Sequence, residues 1–419
     1  MERIERYRIH FKINYYLLLL SMATLPFTRF LMLPVAILML VNFLIEGNYK
    51  NKWNRLKPDH QKLFFIIFSS FFALSFLGFF YSHNIKVAMA DLETKIWFLT
   101  APLVILTLDK KLFTKEKIDK LFYVFCFSCL LVALANILIS VIHYFHFHDI
   151  NYLFYRQASH FFAPHPMHPS YMAMYVTTAF VFAFLSLFIY RDCKNKIVKF
   201  GLRIMLLIFP LYVFFLQSKA GLLAFALCFF VLILYTINNH KRHVWLSVLF
   251  VVLFLIIPVF FLHFVKLPVN RIQSAIENLH SHNESNPTNG TTQRIAIWKS
   301  GWYLAVDHLP CGVGTGDVKD TLMKEYEQKG YTYIRQLELN LHNQYLQTLL
   351  ALGLLGLLAL LAFFISPLGI IIKKRDIFYL SFILIVLLNL LVESMFETRA
   401  GVDFIAIFQI VLWYRVVHS

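Results

Sequence analysis

The chain has 419 residues, of which 59% are hydrophobic and 17% aromatic, and its mean hydropathy is +0.64. This composition excludes an ordinary soluble domain and predicts an all-α protein that crosses a membrane many times. The formal net charge of +16 would suit a nucleic-acid-binding protein, but in a membrane protein such a charge more often comes from Lys and Arg in cytoplasmic loops.

Apolar stretches that approach the length of a membrane-spanning helix recur along the whole chain. A span needs about 20 predominantly apolar residues, and about twelve segments come near that length. They are Ile13–Phe27, Phe30–Ile45, Leu63–Phe80, Ile96–Leu108, Leu121–Phe145, Pro169–Tyr190, Leu202–Leu216, Gly221–Ile237, Val244–Phe264, Tyr345–Ile372, Ile377–Val392 and Gly401–Val417.

The distribution of Lys and Arg between the predicted loops indicates how the chain is oriented. With the N-terminus in the cytoplasm, most basic residues fall in cytoplasmic segments. Outside one long loop, the opposite side holds only Arg29, Lys86, Lys95, Arg156, Lys219 and Arg399. The positive-inside rule therefore predicts twelve spans with both termini in the cytoplasm. Spans 1–9 would occupy residues 1–264, the long external loop residues 265–341, and spans 10–12 residues 342–419. The basic charge is then a topology signal, and no nucleic-acid partner is expected.

Three histidines lie in one predicted external loop, at His160, His165 and His168. Histidine is a common zinc ligand. However, no Cys or carboxylate lies close by, and two Pro residues make the spacing irregular. The pattern therefore predicts no metal site, although zinc remains the alternative, and His168 is kept as a possible supporting residue of an external site.

A very short link between two spans, Gln217-Ser218-Lys219-Ala220-Gly221, places a lysine at the outer membrane surface. There Lys219 would either extend towards the interface or pair with an anion.

The long loop contains a predicted amphipathic helix. Ile295, Trp298, Trp302 and Ala305 recur at helical spacing, so the helix should lie on the membrane or on the bundle. Arg294 sits at its N-terminal end, where a cation gains nothing from the helix dipole, so it should have another partner. The alternative is a solvated loop arginine.

A glycine-rich run follows, Cys311-Gly312-Val313-Gly314-Thr315-Gly316-Asp317. Its alternating glycines permit positive φ and a close backbone approach to a ligand, so Gly314 is a possible supporting residue. The run lacks the strand–helix setting of a dinucleotide loop and the Lys-Ser/Thr of a P-loop, so it does not predict a nucleotide site.

The stretch Leu341–Leu361 opens with a polar head, His342-Asn343-Gln344-Tyr345, and continues as apolar sequence. On a helix starting here, Tyr345 would share the face of His342. An imidazole at the membrane edge is suited to proton transfer, and the alternative is a helix-capping His-Asn pair. The last external turn, from Glu393 to Arg399, holds two acids and a base. It is either an ion-pair cluster or part of the site.

Taken together, these motifs resemble the O-antigen ligase and O-antigen polymerase superfamily of bacterial envelope glycosyltransferases. The shared pattern is a Ser-Lys/Arg-x-Gly turn, an external R-x-x-x-W, a glycine-rich turn, H-N-x-Y-L-Q and L-G-L-L-G, and it covers Gln217 to Gly356. This sequence has Lys219 where the family usually has Arg. Lysine is a point charge and cannot grip an oxyanion in a bidentate fork.

The resemblance implies a multi-pass enzyme of the bacterial inner membrane whose active site faces the periplasm. Its donor would be a glycan on undecaprenyl diphosphate, and its acceptor a sugar hydroxyl, for example of lipid A–core. His342 would be the general base. Arg294 and Lys219 would bind the diphosphate, with Asn343, Tyr345, Trp298, Gly314, His168 and Arg399 as possible supporting residues. The reaction would invert the anomeric centre and use neither a metal nor another cofactor.

Three alternatives remain. A protein-glycosylating ligase would share the same motifs. A surface polysaccharide polymerase would use the same site with a different acceptor. A transporter or flippase of an anionic lipid would instead show inverted repeats and charged residues at mid-span, neither of which is visible in the sequence.

Overall fold

A computed structural model of the chain describes residues 2–27, 31–154, 167–190, 193–239 and 290–417. Every regular element in these ranges is helical, as the composition predicts. The predicted span Val244–Phe264 lies outside the described residues, as do residues 265–289 of the long loop.

The described part of the chain folds into α-helices with short 3₁₀ segments between some of them. The first ten helices are α1 (Glu2–Thr24), α2 (Met32–Glu46), α3 (Tyr49–Leu56), α4 (Asp59–Phe80), α5 (Ile85–Lys95), α6 (Trp97–Ile105), α7 (Lys115–Phe147), α8 (Pro169–Phe184), α9 (Lys196–Leu216) and α10 (Lys219–Asn239). The others are α11 (Gly290–Asp307), α12 (Val318–Gln328), α13 (Thr332–Gln336), α14 (Gln344–Ile365), α15 (Leu368–Lys374), α16 (Ile377–Leu390) and α17 (Arg399–Val417).

Within the described ranges, seven helical segments are long and apolar enough to cross a membrane. They are α4, α7, α8 with its π-helical continuation to Tyr190, α9, α10, α14 with α15, and α17. Helices α2 and α3 pass the same test together but are bent by 114°, so they make an eighth span if counted as one. The protein is therefore a multi-pass membrane protein that is all-helical over its described residues. Twelve spans stay a prediction. Of the other four predicted spans, the one in α1 does not pass this test, α6 and α16 are shorter than a full span, and Val244–Phe264 lies outside the described residues.

Contacts between helices at one end of the bundle involve several of the basic residues predicted to be cytoplasmic. Arg55 donates a hydrogen bond to the carbonyl of Thr107 at 2.6 Å, and Arg415 pairs with Asp376 at 3.1 Å. We call this the basic end. Helices α8, α10 and α17 begin at the far end, where the Ser218 hydroxyl donates to that of Ser170 at 3.2 Å.

A cluster of phenylalanine rings fills the core beneath the turn between α16 and α17. Phe396, which is fully buried, has its ring centroid 4.6 Å from that of Phe98 and 4.9 Å from that of Phe71. Because Phe396 lies in the turn itself, its burial fixes the position of the neighbouring polar residues Glu393 and Glu397.

Helix α14 is broken at Gly353, which has φ 63° and ψ −154°. The chain segment after α11 docks into the break. The amides of Val313 and Gly314 donate to the carbonyls of Leu350 and Ala351 at 2.8 and 3.0 Å, and Leu354 N donates to Pro310 O at 2.9 Å. These bonds satisfy backbone groups that the break removes from the helical ladder.

The break also sets the direction of the first part of α14. In a straight helix, Gln344 and Phe363 would be roughly 28 Å apart at 1.5 Å per residue. Both nevertheless contact Phe396: its amide donates to Gln344 Oε1 at 2.7 Å, and its ring centroid lies 6.1 Å from that of Phe363. The two halves of α14 therefore cannot be collinear, and the bend brings residues 342–344 beside the turn that follows α16.

We expect Gly353→Ala to lower the free energy of unfolding by about 2–4 kcal/mol, because the change combines a positive φ with overpacking. A Cβ at this position would lie 1.8 Å from Pro310 O. The matched control is Gly369→Ala in α15, where a Cβ would meet nothing within 4 Å. Thermal unfolding of both variants in detergent is the measurement, and equal melting temperatures would contradict the role given to the break.

Candidate functional site

Three of the predicted site residues, His342, Arg294 and His168, lie around Glu393, a carboxylate in the turn after α16 whose side chain is only 8% exposed. Its Oε2 lies 3.4 Å from His342 Nδ1. Its Oε1 lies 3.5 Å from Arg294 Nη2 and accepts a hydrogen bond from the Ser170 hydroxyl at 3.1 Å. His168 Nδ1 is 3.9 Å from the same oxygen. One buried acid thus joins α8, α11 and the start of α14.

The backbone around His342 is held on both sides. His342 has φ 43°, in the left-handed region that non-glycine residues seldom adopt. Its amide donates to Asn340 Oδ1 at 3.0 Å, and the Trp298 indole donates to the carbonyl of Leu341 at 3.0 Å. Such a conformation persists only where its surroundings determine it. Trp298 therefore acts on His342 through the backbone.

Asn343 is the N-cap of α14, and its side-chain oxygen accepts a hydrogen bond from Leu346 N at 3.0 Å. The capping alternative is therefore confirmed for Asn343, while the imidazole of His342 is directed to Glu393. The next residue, Gln344, is fully buried and holds the turn that carries Glu393 through the amide of Phe396.

Three helices begin beside the site. His168 caps α8, Asn343 caps α14, and the Ser218 hydroxyl accepts a hydrogen bond from Gly221 N at 3.1 Å at the start of α10. Contacts through Ser170 connect two of these helix starts: Ser218 donates to Ser170, and Ser170 donates to Glu393. Helix N-termini carry partial positive charge and unpaired N–H groups, so they favour anions.

The electrostatic balance of the site is positive. Burial acts to raise the pKa of Glu393, but the hydrogen bond with His342 and the nearby His168, His342 and Arg294 outweigh it and hold this pKa below its usual range. Glu393 is therefore ionised at neutral pH. Against this single carboxylate stand Arg294, the three helix N-termini and Lys219, which begins α10 directly after Ser218 and has an exposed side chain. The arrangement can accept a further anion.

The turn from Glu393 to Arg399 serves both as an ion-pair cluster and as part of the site, with different residues in each role. Glu397 pairs with the buried Lys95 at 3.1 Å, and Arg399 pairs with Glu93 at 2.8 Å. These residues form an ion-pair cluster that ties the turn to α5. Arg399 is thus engaged away from His342, whereas Glu393 belongs to the site.

Two further candidates have packing roles in the structure. The Tyr345 hydroxyl donates to the carbonyl of Leu387 at 3.1 Å, which joins α14 to α16. A Cβ on Gly314 would lie 2.5 Å from Ser82 Oγ. Gly314 therefore allows the segment after α11 to pack closely against the end of α4. The close backbone approach expected at Gly314 is made to this helix and not to a ligand.

The histidine trio is not brought together within the described residues. His168 serves as the N-cap of α8, while His160 and His165 lie outside those residues. In the ranges that the structure covers, no three His, Cys, Asp or Glu side chains gather as a metal site would require.

Residues 204–361 match the sequence model of a protein family described as O-antigen ligase. A search of curated proteins found no match. The matched stretch contains Lys219, Arg294, Trp298 and His342, while Glu393, His168 and Ser170 lie outside it. The resemblance drawn from the motifs is thereby confirmed over the whole segment that carried it, Gln217 to Gly356.

We expect Glu393→Gln to lower the free energy of unfolding at neutral pH by about 1–3 kcal/mol, the usual worth of hydrogen bonds to a charged group. Because the pKa of Glu393 is lowered in the folded state, its stabilising effect is present above the ordinary glutamate pKa of about 4.3 and is lost as the pH falls through the lowered value. Melting temperatures of the wild type and the variant should therefore converge on acidification.

The matched control for this measurement is Glu93→Gln. Glu93 also pairs with an arginine, but its side chain is 71% exposed, so its loss should change stability little. A difference between wild type and Glu393→Gln that stayed constant down to pH 2 would contradict an ionic role for Glu393.

Proposed function

We propose that this chain, which carries an O-antigen ligase family domain at residues 204–361, transfers a glycan from undecaprenyl diphosphate to a sugar hydroxyl of an acceptor such as lipid A–core. It would thereby serve lipopolysaccharide biosynthesis. The observation that carries the proposal is the contact of a single buried carboxylate, Glu393, with both His342 and Arg294. A proton acceptor and an anion-binding group are then adjacent.

The donor diphosphate is assigned to Arg294, Lys219 and the helix N-termini at α8, α10 and α14. Phosphate oxygens are bound well by charged side chains and by free backbone N–H groups. When the glycosidic bond breaks, negative charge grows on the departing diphosphate, and preorganised cations stabilise that charge. Lys219 contributes a point charge, so Arg294 supplies the more directional contact.

His342 is assigned as the general base. In the proposed arrangement Nδ1 carries a proton that it shares with Glu393, and Nε2 accepts the proton of the acceptor hydroxyl. The hydroxyl oxygen then forms a bond to the anomeric carbon, while the bond from that carbon to the diphosphate oxygen breaks. Undecaprenyl diphosphate departs with the electron pair. Attack from the side opposite the leaving group inverts the anomeric centre, and no step requires a metal or another cofactor.

The membrane arrangement proposed for this reaction places the far end of the bundle in the periplasm and the basic end in the cytoplasm. The positions of Arg55 and Arg415 at the basic end support this orientation. The protein would then be a bacterial inner-membrane enzyme with twelve spans, and residues 265–341 would form its external loop.

A polymerase would use the same groups and differ only in its acceptor, a second lipid-linked glycan, so acceptor choice in a transfer assay separates the two. A transporter or flippase would need a membrane with two sides. Transfer between two lipids in detergent therefore separates an enzyme from a transporter.

We expect the purified protein to transfer glycan from a lipid diphosphate in detergent, and His342→Gln to lower the turnover rate by about 10²–10⁴-fold. Glutamine keeps hydrogen bonding and approximate size but cannot take up a proton at neutral pH. The matched control is His308→Gln at the end of α11, because His308 contacts the carbonyl of Leu304 and lies outside the Glu393 cluster. Its turnover should match that of the wild type.

Two outcomes would contradict the proposal in different ways. If the wild type binds the donor but transfers glycan to no sugar acceptor, the proposed reaction is wrong. If His342→Gln transfers glycan at the wild-type rate, the reaction stands but His342 is not its general base.

A further inference from the structure

Helix α11 has two apolar faces, and only one of them is covered by protein. The inner face consists of Ala296, Ile297, Ser300, Gly301, Leu304 and Ala305, all of which are buried. The outer face presents Ile295, Trp302, Tyr303 and Val306, which are 41%, 59%, 60% and 47% exposed. The inner face packs against the chain at Leu341 and α14. The bundle therefore accounts for one apolar face of this helix and leaves the other open.

The neighbouring helix α12 shows that this exposure is particular to α11. Lys319, Asp320 and Lys324 are exposed on α12, which is the pattern of a solvated helix surface. Large aromatic side chains grouped on one exposed face instead mark a contact surface. Helices α11 and α12 follow one another in the chain, but their exposed residues differ. The exposed face of α12 suits water, whereas that of α11 suits an apolar contact.

The outer face of α11 is continuous with the apolar surface of a spanning helix. Leu309, 45% exposed, follows α11, and the carbonyl of the next residue, Pro310, accepts a hydrogen bond from Leu354 N. Leu354 and Leu355 on α14 are themselves 48% and 64% exposed. Since α14 is part of a membrane span, its exposed leucines face lipid tails. Exposed apolar side chains thus occur on α14, at Leu309 and on α11, and packing of the two helices and the Leu354–Pro310 hydrogen bond hold these elements side by side.

We infer that the outer face of α11 is seated in the lipid bilayer at the boundary between head groups and acyl chains. Trp and Tyr favour that boundary because their rings combine an apolar body with a polar edge. Lys299 is exposed on the same face, where an ammonium group suits phosphate head groups. Lys329, which pairs with Glu325 at 2.9 Å, lies 5.7 Å from the Tyr303 ring centroid. A helix with this composition lies in the plane of the interface.

If the proposed function is correct, the position of α11 in the lipid interface also helps to place the donor-binding residue Arg294. Arg294 lies on α11 next to Ile295, the first residue of the outer face. A helix anchored in the bilayer surface would hold Arg294 at the depth where the diphosphate of a membrane-embedded donor lies. The lipid contact itself does not depend on the reaction.

Spin labels in nanodiscs that contain anionic phospholipids test the inference. In a Cys311→Ser background, in which the four remaining cysteines are buried, single labels are placed at Val306→Cys and Trp302→Cys. The matched control is Asp320→Cys on α12. We expect labels on α11 to collide more often with oxygen, which concentrates in lipid, than with a water-soluble nickel chelate. The control label should show the reverse order.

Two results would overturn the inference. Labels on α11 that collide with the nickel chelate as often as the label at position 320 would place this face in water. Labels shielded from both reagents would mean that protein covers it, either a second copy of the chain or another segment. Neither readout requires glycan transfer, so a failure here is distinct from a failure of the proposed function.

Discussion

A buried carboxylate at the far end of the helix bundle must be neutralised and hydrogen-bonded by the residues around it. An ionised Glu393 with its side chain 8% exposed is stable only with cationic and hydrogen-bonding partners, because an unpaired buried charge is strongly unfavourable. Arg294, His342, His168 and the Ser170 hydroxyl meet that demand. These groups come from three separate parts of the chain: the start of α8, α11 and the start of α14. The need to neutralise one acid therefore also gathers the groups that could bind a phosphate and accept a proton.

A second set of residues holds the turn that carries Glu393. The turn carrying it is fixed by Gln344 through the amide of Phe396, by the buried Lys95 through Glu397, and by the Tyr171 hydroxyl, which accepts from Thr398 at 2.9 Å. The break at Gly353 permits the first of these contacts, because it lets the start of α14 fold back towards the turn. Backbone conformation far from His342 therefore determines whether His342 meets Glu393.

Much of this architecture could be predicted from local patterns in the sequence, because hydropathy reports burial in lipid. The helices and the candidates Arg294 and His342 follow from such patterns. The single apolar stripe predicted for α11 does not, because Ala305 is buried whereas Ile295 and Trp302 are exposed. Glu393 could not be assigned, because the choice between Glu393, Glu397 and Arg399 depends on which side chains face the cluster after folding. The break in α14 was also missed, since Gly353 lies within an apolar run and hydrogen bonds from residues 310–314 stabilise it. The sequence also suggested that Gly314 approaches a ligand. A glycine is needed wherever the backbone packs closely, so the sequence alone does not distinguish a ligand from a neighbouring helix.

We propose that Arg294 and Lys219, beside three helix N-termini, bind a lipid diphosphate next to the His342–Glu393 pair. Equilibrium binding of undecaprenyl diphosphate to the purified protein tests this claim most directly, with the lipid monophosphate as the comparison ligand. We expect Arg294→Ala and Lys219→Ala each to weaken diphosphate binding by about tenfold or more, a loss of about 1.4 kcal/mol or more. Lys219→Arg and His342→Gln should bind as the wild type does. Unchanged affinity in both alanine variants, or a wild type that binds diphosphate no better than monophosphate, would contradict this proposal.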